Sequence, residues 1–181
     1  MGPGVAVPSK ALIYIAQGEH AIASGPDAVI STLLGSCVAV CLWDPVAGTG
    51  GMNHFLLPDE GVSSPGMSGY GANAMELLIN GLIRGTAQRA RLRAKLFGGA
   101  VMISGLSNIG KKNAEFARAY LQRENIPCDS QSLGGTLARR VQFWPADGRV
   151  RIRFLSEGTI AAPPRHQNSS KPVTHTDVEL F

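Results

Sequence analysis

One cysteine and one histidine are the residues of this sequence best suited to covalent chemistry. Cys37 follows the dipeptide Gly35-Ser36, and His54 lies seventeen residues later, in a second apolar run. A Gly-Ser turn places the sulfur near backbone N–H groups, which favour a thiolate and can stabilise an oxyanion. A neighbouring imidazole is a suitable base for a thiol. The pair is typical of a thiol hydrolase, with Gly35 and Ser36 as candidates for substrate or oxyanion contacts.

The other histidines and cysteines are weaker candidates. His166 and His175 lie in a polar tail, and His20 lies in a predicted turn near the N-terminus. Cys128 follows a proline at a predicted strand start, which is typical of an inert small hydrophobe. On residue type alone His54 has two interpretations: a structural histidine with a satisfied partner, which is the commoner case, or a catalytic base.

A metal site would use Cys37, Cys41 and His54 as ligands. In a strand, at ~3.3 Å per residue, the alpha carbons of Cys37 and Cys41 lie ~13 Å apart, too far for one zinc ion bound at ~2.3 Å from each sulfur. In a helix the two residues would be neighbours, but the intervening valines favour a strand. The sequence therefore favours Cys41 as a core residue and a site with no metal or other cofactor.

A catalytic imidazole also needs a group that orients it. No acidic residue lies nearby in the strands, so the local candidates are the hydroxyls of Ser31 and Thr32, which precede Cys37. Adjacent residues of a strand point to opposite faces, so only one of the two is expected to reach His54. Asn53, next to His54, either holds the substrate amide or is purely structural.

The pattern of apolar and turn residues predicts a strand-rich α/β protein. Strands are predicted at 11–16, 29–34, 37–43, 52–57, 95–103 and 128–133, with a hairpin of 140–144 and 150–154. Helices are predicted at 72–84 and 109–123, the second with Asn108 as N-cap. Residues 59–70 read as a mobile loop beside the site. The outward face of the hairpin would carry arginines, either as a solvated face or as a docking surface for an acidic partner: Arg140, Arg151 and Arg153.

Length and composition indicate one domain. The chain has 181 residues and is 44% apolar, so it can bury a sizeable core. We expect residues 10–157 to form the domain, between a disordered N-terminus at 1–9 and a disordered tail at 158–181. A net charge of +4 with two Trp, three Tyr and six Phe does not indicate nucleic-acid binding. The absence of a membrane-length apolar run or signal pattern, with three cysteines, favours a cytoplasmic protein with free thiols.

Four blocks of the sequence together point to a family. They are LGSCV at 34–38, GGMNHF at 50–55 ending at Pro58, KLFGGA at 95–100, and NIG at 108–110 followed by Asn113. In this order and with this Cys-to-His spacing, the blocks resemble the CheD family of chemoreceptor glutamine deamidases. The resemblance covers roughly residues 10–157.

The resemblance implies a fold and an activity. The fold would be a layered sandwich of packed mixed β-sheets with two main helices outside, similar to deamidating bacterial toxins. The enzyme would hydrolyse glutamine amides of methyl-accepting chemotaxis receptors to glutamate, with some members also acting on receptor methyl esters. The family's triad is Cys, His and a Thr six residues before the Cys; here that position is Ser31, with Thr32 next to it.

Two other functions remain open on the sequence alone. A non-catalytic adaptor that binds receptors or a CheC-type phosphatase would fit the resemblance, since CheD proteins of some bacteria bind CheC. The intact pair Cys37 and His54 argues against a pure adaptor. A general cysteine protease is the third interpretation, and the compact loops offer no evident groove for a long peptide.

Overall fold

Two packed sheets and two helices make up the protein. The computed structural model describes residues 11–57, 68–101, 108–155 and 178–181. Within these ranges the helices are α1 Ser68–Arg84 and α2 Ile109–Arg123, with a 3₁₀ turn at Arg89–Arg91. The strands are β1 Leu12–Tyr14, β2 His20–Ser24, β3 Val29–Leu34, β4 Val38–Asp44, β5 Thr49–Phe55, β6 Arg93–Gly98, β7 Cys128–Leu133, β8 Ala138–Phe143, β9 Val150–Leu155 and β10 Val178–Leu180.

The strands divide into two five-stranded sheets. The order in the outer sheet is β1-β3-β8-β9-β10, and the order in the central sheet is β2-β5-β4-β6-β7. Each sheet has one parallel pair, β1 with β3 and β6 with β7, and its other pairs are antiparallel. The helices cover the face of the central sheet that points away from the outer sheet. The predicted layered sandwich of mixed sheets with two helices outside is confirmed.

Strand β4 is the middle of the sandwich and is buried on both faces. All seven of its residues are buried, which explains its unbroken apolar run. Val38, Val40 and Leu42 pack under the helices. The alternate residues face the outer sheet, where they join a second core: Ala39, Cys41 and Trp43. Side chains on β4 therefore alternate between two hydrophobic cores, because successive residues of a strand point to opposite faces.

The helices are held by the stripes that their periodicity predicts. In α1 the buried hydrophobic residues are Met75, Leu78, Ile79 and Leu82, whereas Ile83 is 38% exposed. Helix α1 begins at Ser68, four residues before the predicted start, and α2 has the predicted bounds. Asn108 is the N-cap residue of α2, as predicted, although its side chain makes no capping hydrogen bond. Neither helix, nor any other in the described ranges, has the length and apolarity to cross a membrane.

Two short strands were not predicted from the sequence. Strand β2 includes His20, predicted in a turn, and it pairs with β5 at the edge of the central sheet. Strand β10 lies in the predicted disordered tail, where residues 178–180 pair with β9. The strand predicted at 95–103 ends at Gly98 in β6, and residues 102–107 lie outside the described residues. The predicted mobile loop also lies outside them, except for the first residues of α1.

Candidate active site

The turn that carries Cys37 is tied to the start of the segment between β6 and α2. Three consecutive carbonyl oxygens of the turn accept hydrogen bonds. Gly35 O accepts from Ala100 N at 2.9 Å, and Cys37 O accepts from Gly99 N at 2.8 Å. Between them, Ser36 O accepts from Nδ2 of Asn113 at 2.9 Å. The backbone before β4 is therefore held in one orientation.

This anchoring also decides where the N–H groups of the turn point. In a planar trans peptide the C=O and N–H bonds are antiparallel. The carbonyl groups of Gly35 and Ser36 point at Ala100 and Asn113. The N–H groups of Ser36 and Cys37 belong to the same two peptides and therefore point the opposite way. The Cys37 N–H hydrogen-bonds the Cys37 sulfur, which places a backbone donor beside the thiol. Such paired donors are suited to stabilise an oxyanion formed next to the sulfur.

Two glycines allow the segment after β6 to pack closely against the turn that carries Cys37. Gly98 has φ +112°, and a Cβ built there would lie 2.1 Å from Cys37 O. At the first turn of α2, a Cβ on Gly110 would lie 2.6 Å from the carbonyl oxygens of Gly99 and Ala100. Any side chain at either position would push the anchor away from the cysteine turn. Close packing against the cysteine turn therefore explains the glycines at these positions of the KLFGGA and NIG blocks, which the spacing of the blocks alone did not explain.

His54 lies on the neighbouring strand β5, one diagonal step from Cys37. The antiparallel register pairs His54 with Ala39, and Cys37 lies two residues before Ala39 on the same face. Diagonal neighbours of this kind have alpha carbons about 7–8 Å apart, within reach of an imidazole and a thiol. Both side chains face the outer sheet. The strand pairing thus brings the predicted nucleophile and base to the same layer.

Thr32 of the outer sheet contacts the imidazole across the gap between the sheets. Its Oγ1 lies 2.8 Å from His54 Nδ1 and also donates to the carbonyl oxygen of Ile15 at 2.7 Å. A hydroxyl has one proton, and a carbonyl can only accept, so Thr32 must accept a hydrogen bond from Nδ1–H. The neutral imidazole then carries its lone pair on Nε2. That atom is buried and has no hydrogen-bond partner among the described residues.

Burial keeps both reacting groups neutral at rest. Desolvation lowers the pKa of His54 to about 4, and the charge of Glu19 opposes this shift in part. Desolvation also raises the pKa of the Cys37 thiol, while its own backbone N–H acts in the opposite direction. The resting pair is therefore a thiol and a neutral imidazole rather than an ion pair. Such a pair can react by transferring the thiol proton to Nε2 as the sulfur attacks.

Ser31 and Asn53 make their hydrogen bonds away from the imidazole, whereas Gly35 and Ser36 contribute backbone groups to the turn beside the sulfur. The hydroxyl of Ser31 donates to Val141 O at 3.1 Å, on the other face of β3 from Thr32. Asn53 faces the helices: its Oδ1 accepts from Val40 N at 3.0 Å and its Nδ2 donates to Ala74 O at 3.1 Å. The structure therefore does not bring Ser31 or Asn53 to the imidazole, and of the two interpretations of Asn53 its contacts match the structural one.

One residue next to the sulfur was not predicted. The Cys37 Sγ donates a hydrogen bond to Oε1 of Gln17 at 3.5 Å. Gln17 lies in the turn between β1 and β2, where the sequence indicates only a turn. No local pattern could have revealed this contact, because it joins two turns that are twenty residues apart, each linking the outer sheet to the central sheet.

Comparisons with known proteins identify the family of this chain. A "probable chemoreceptor glutamine deamidase CheD" of Agrobacterium fabrum is 50% identical over 174 residues, covering 93% of this chain and 96% of the relative. The chain belongs to the CheD family. A relative of the same description in Caulobacter sp. strain K31 is 49% identical, covering 93% of this chain and 92% of its own. The family model described as CheD chemotactic sensory transduction matches residues 56–154, beginning just after His54.

Solved structures give a much weaker match. The crystal structure of the Bacillus licheniformis hypothetical protein YfiH aligns with 62% of this chain and 49% of its own, at 16% identity and a TM-score of 0.40. A similarity at that level has no bearing on function. The family assignment rests on the CheD relatives and on the family model.

Proposed function

We propose that this CheD protein hydrolyses the side-chain amide of glutamines in methyl-accepting chemotaxis receptors, releasing ammonia and leaving glutamate. Membership of the CheD family supports this activity, since its relatives are described as probable chemoreceptor glutamine deamidases. The single structural observation that supports the chemistry is the imidazole of His54. Its Nδ1 is held by Thr32, and its Nε2 is left without a partner among the described residues, one diagonal step from Cys37.

The reaction begins with a proton transfer. Nε2 of His54 takes the proton of the Cys37 thiol as the sulfur attacks the glutamine Cδ, and the carbonyl π electrons move to the oxygen. The N–H groups of Ser36 and Cys37 are placed to stabilise that oxyanion. The oxyanion then collapses, the C–N bond breaks, and the leaving nitrogen takes the proton from Nε2 and departs as ammonia.

Hydrolysis of the thioester completes the cycle. Water takes the place of ammonia, and Nε2 of His54 accepts one of its protons while the hydroxide attacks the thioester carbon. The C–S bond breaks, Cys37 recovers its proton from His54, and the product leaves as a carboxylic acid that ionises to glutamate. Receptor glutamate methyl esters would react by the same steps, with methanol as the leaving group in place of ammonia.

Thr32 has the orienting role in this proposal, and Ser31 does not. Thr32 keeps the proton on Nδ1, so the lone pair of the imidazole is on Nε2, where it can accept the thiol proton. The new negative charge on the product would alter the packing of a receptor helix, which is how deamidation would change signalling.

The decisive experiment is mass spectrometry of receptor cytoplasmic fragments. Incubation with the wild-type protein should produce the mass shift of amide-to-acid conversion at particular glutamines, and Cys37→Ala should produce none. Cys128→Ala is the matched control, because Cys128 is exposed and lies on the far edge of the central sheet. If wild type leaves the fragments unmodified while still binding them, or binds a CheC-type phosphatase instead, the adaptor function replaces this proposal.

A further inference from the structure

The side chain of Gln17 occupies the space directly beside the reacting sulfur. Its Oε1 accepts the hydrogen bond of the Cys37 thiol at 3.5 Å, and the residue is exposed. The proposed reaction gives this contact no role.

The turn that carries Gln17 is fastened to the strand of the base. Gly18 N donates to His54 O at 2.7 Å, and His54 N donates to Glu19 O at 3.0 Å. The carboxylate of Glu19 closes the turn by accepting from Ala16 N at 2.8 Å. The backbone at residue 17 therefore has a fixed position relative to His54, and the amide beside the sulfur is not a side chain of a loose loop.

A carboxamide matches both states of the reacting sulfur. Its oxygen accepts the S–H bond of the resting thiol, which holds the sulfur in place. Once the proton has moved to His54, there is no S–H to accept, and the negative charge on sulfur or on the substrate oxygen needs a donor. The NH₂ of the same amide is such a donor, and rotation about the terminal torsion of glutamine meets no high barrier.

We infer that Gln17 is a further catalytic residue: its amide oxygen orients the Cys37 thiol, and its amide NH₂ donates to the negative charge that forms when the thiol attacks. The inference rests on the proposed deamidase function. It adds a side-chain donor on the turn before β2 to the backbone donors on the turn before β4, so the charge is held from two sides.

The test compares replacements of similar length with different hydrogen-bonding groups. Gln17→Met removes donor and acceptor, and Gln17→Glu keeps the acceptors but adds a negative charge beside the sulfur. With a receptor fragment as substrate, Gln17→Met should lower kcat about 100-fold, the lower end of the range for loss of one oxyanion donor. KM should change less than about threefold, because the donor acts only after proton transfer. Gln17→Glu should lose at least as much.

A second readout needs no substrate. In a Cys128→Ala background, alkylation of Cys37 by iodoacetamide at a fixed pH should be slower in Gln17→Glu than in wild type, because the added carboxylate disfavours the thiolate. The matched control is Gln142→Met, a glutamine on β8 whose side chain accepts from Arg151 in the outer sheet. It should leave both kcat and the alkylation rate at wild-type values.

The outcomes separate this inference from the proposed function. Wild-type kcat in Gln17→Met and Gln17→Glu, with active wild-type protein, would overturn the role of Gln17 alone. An inactive wild type would overturn the deamidase proposal, and unchanged alkylation in Gln17→Glu would then overturn the inference too. Conversion of Gln17 itself to glutamate in wild type but not in Cys37→Ala would mean that Gln17 is a self-substrate, which also contradicts a catalytic role.

Discussion

A buried polar cluster lies at each end of strand β4. One cluster stabilises the charged form of its ionisable group, and the other favours the neutral form. At the C-terminal end, the Asp44 carboxylate accepts from the backbone N–H groups of Val46, Ala47 and Gln88 at 2.8–3.1 Å. The guanidinium of Arg91 adds contacts at 2.8–3.0 Å. At the N-terminal end, the imidazole of His54 has one partner, Thr32, and its second nitrogen has none in the described part of the chain.

The electrostatic consequences differ accordingly. The hydrogen bonds to Asp44, above all that from Arg91, hold the pKa of its carboxyl well below the usual range, so the charge is stable in a fully buried side chain. The pKa of His54 is lowered for the opposite reason, because little compensates the imidazolium for its burial. A satisfied buried charge stabilises the fold, whereas an unsatisfied neutral base is free to take up a proton during the reaction.

The largest expected effect is the loss of the nucleophile. Cys37→Ala should reduce deamidation by roughly 10⁴- to 10⁶-fold, since removal of one member of a catalytic unit removes nearly all of its contribution. The free energy of unfolding should stay within about 1 kcal/mol of wild type, because the site is only half-buried at Cys37. Turnover checks the predicted loss of deamidation, and urea denaturation of the same sample checks the predicted free energy of unfolding. A large loss of stability would place Cys37 with Asp44 as a structural residue.

The second prediction concerns the other end of β4. Asp44→Asn should lower the free energy of unfolding by about 3–5 kcal/mol, because it removes the charge that compensates Arg91 and replaces one acceptor oxygen by an NH₂ group that faces other donors. The fraction that remains folded should keep the kcat of wild type. Asp147→Asn is the control, since Asp147 pairs with Arg149 in the solvent and should change stability by less than about 1 kcal/mol. A fall in kcat beyond the loss of folded protein would contradict the division of roles.

The third prediction uses pH to separate the clusters. With its pKa lowered from 6.5 to about 4, His54 binds a proton in the unfolded chain before it does so in the folded one. The free energy of unfolding should therefore fall as pH drops from 6.5 to 4, by about 3 kcal/mol from this group. Asp44 stays ionised in this window, and its contribution is lost only at lower pH. Urea titrations should show a shallower loss in His54→Gln; an equal slope would contradict the lowered pKa.

The fourth prediction tests how His54 is oriented. Thr32→Val leaves Nδ1–H without an acceptor, a cost of about 1–3 kcal/mol, which as a loss of kcat/KM is roughly 10- to 100-fold. Thr32→Ser should recover most of the activity, because it restores the hydroxyl. A purely structural role would not produce this rescue at equal stability. Activity near wild type in Thr32→Val would show that another group sets the tautomer.

The smallest effect is expected for the neighbouring residue. Ser31→Ala removes only the hydrogen bond to Val141 O and should cost about 1 kcal/mol of stability. Its kcat/KM should equal that of wild type, measured beside Thr32→Val on the same receptor fragment. If Ser31→Ala is the more damaging of the two in activity, the orientation of β3 in solution differs from the structure.

Local sequence patterns predicted most of the fold because those patterns are read within one element. The bounds of β3, β7 and α2 match the predictions. Strand β2 and strand β10 were missed because they are edge strands of five and three residues, whose conformation depends on the partner strand. Asn108 has the predicted N-cap position, but its side chain makes no capping hydrogen bond.

The sequence by itself predicted a nucleophile and a base, and it identified the family. The Cys-to-His spacing, the Gly-Ser turn and the four ordered blocks are enough to indicate Cys37, His54 and the CheD family. Only the tertiary structure decided which hydroxyl meets the imidazole and which amide meets the sulfur. Thr32 and Ser31 are adjacent on one strand, so a one-residue difference in which face meets the other sheet exchanges their roles. That choice arises where the two sheets pack together, and the contact of Gln17 arises where two turns that link the sheets meet.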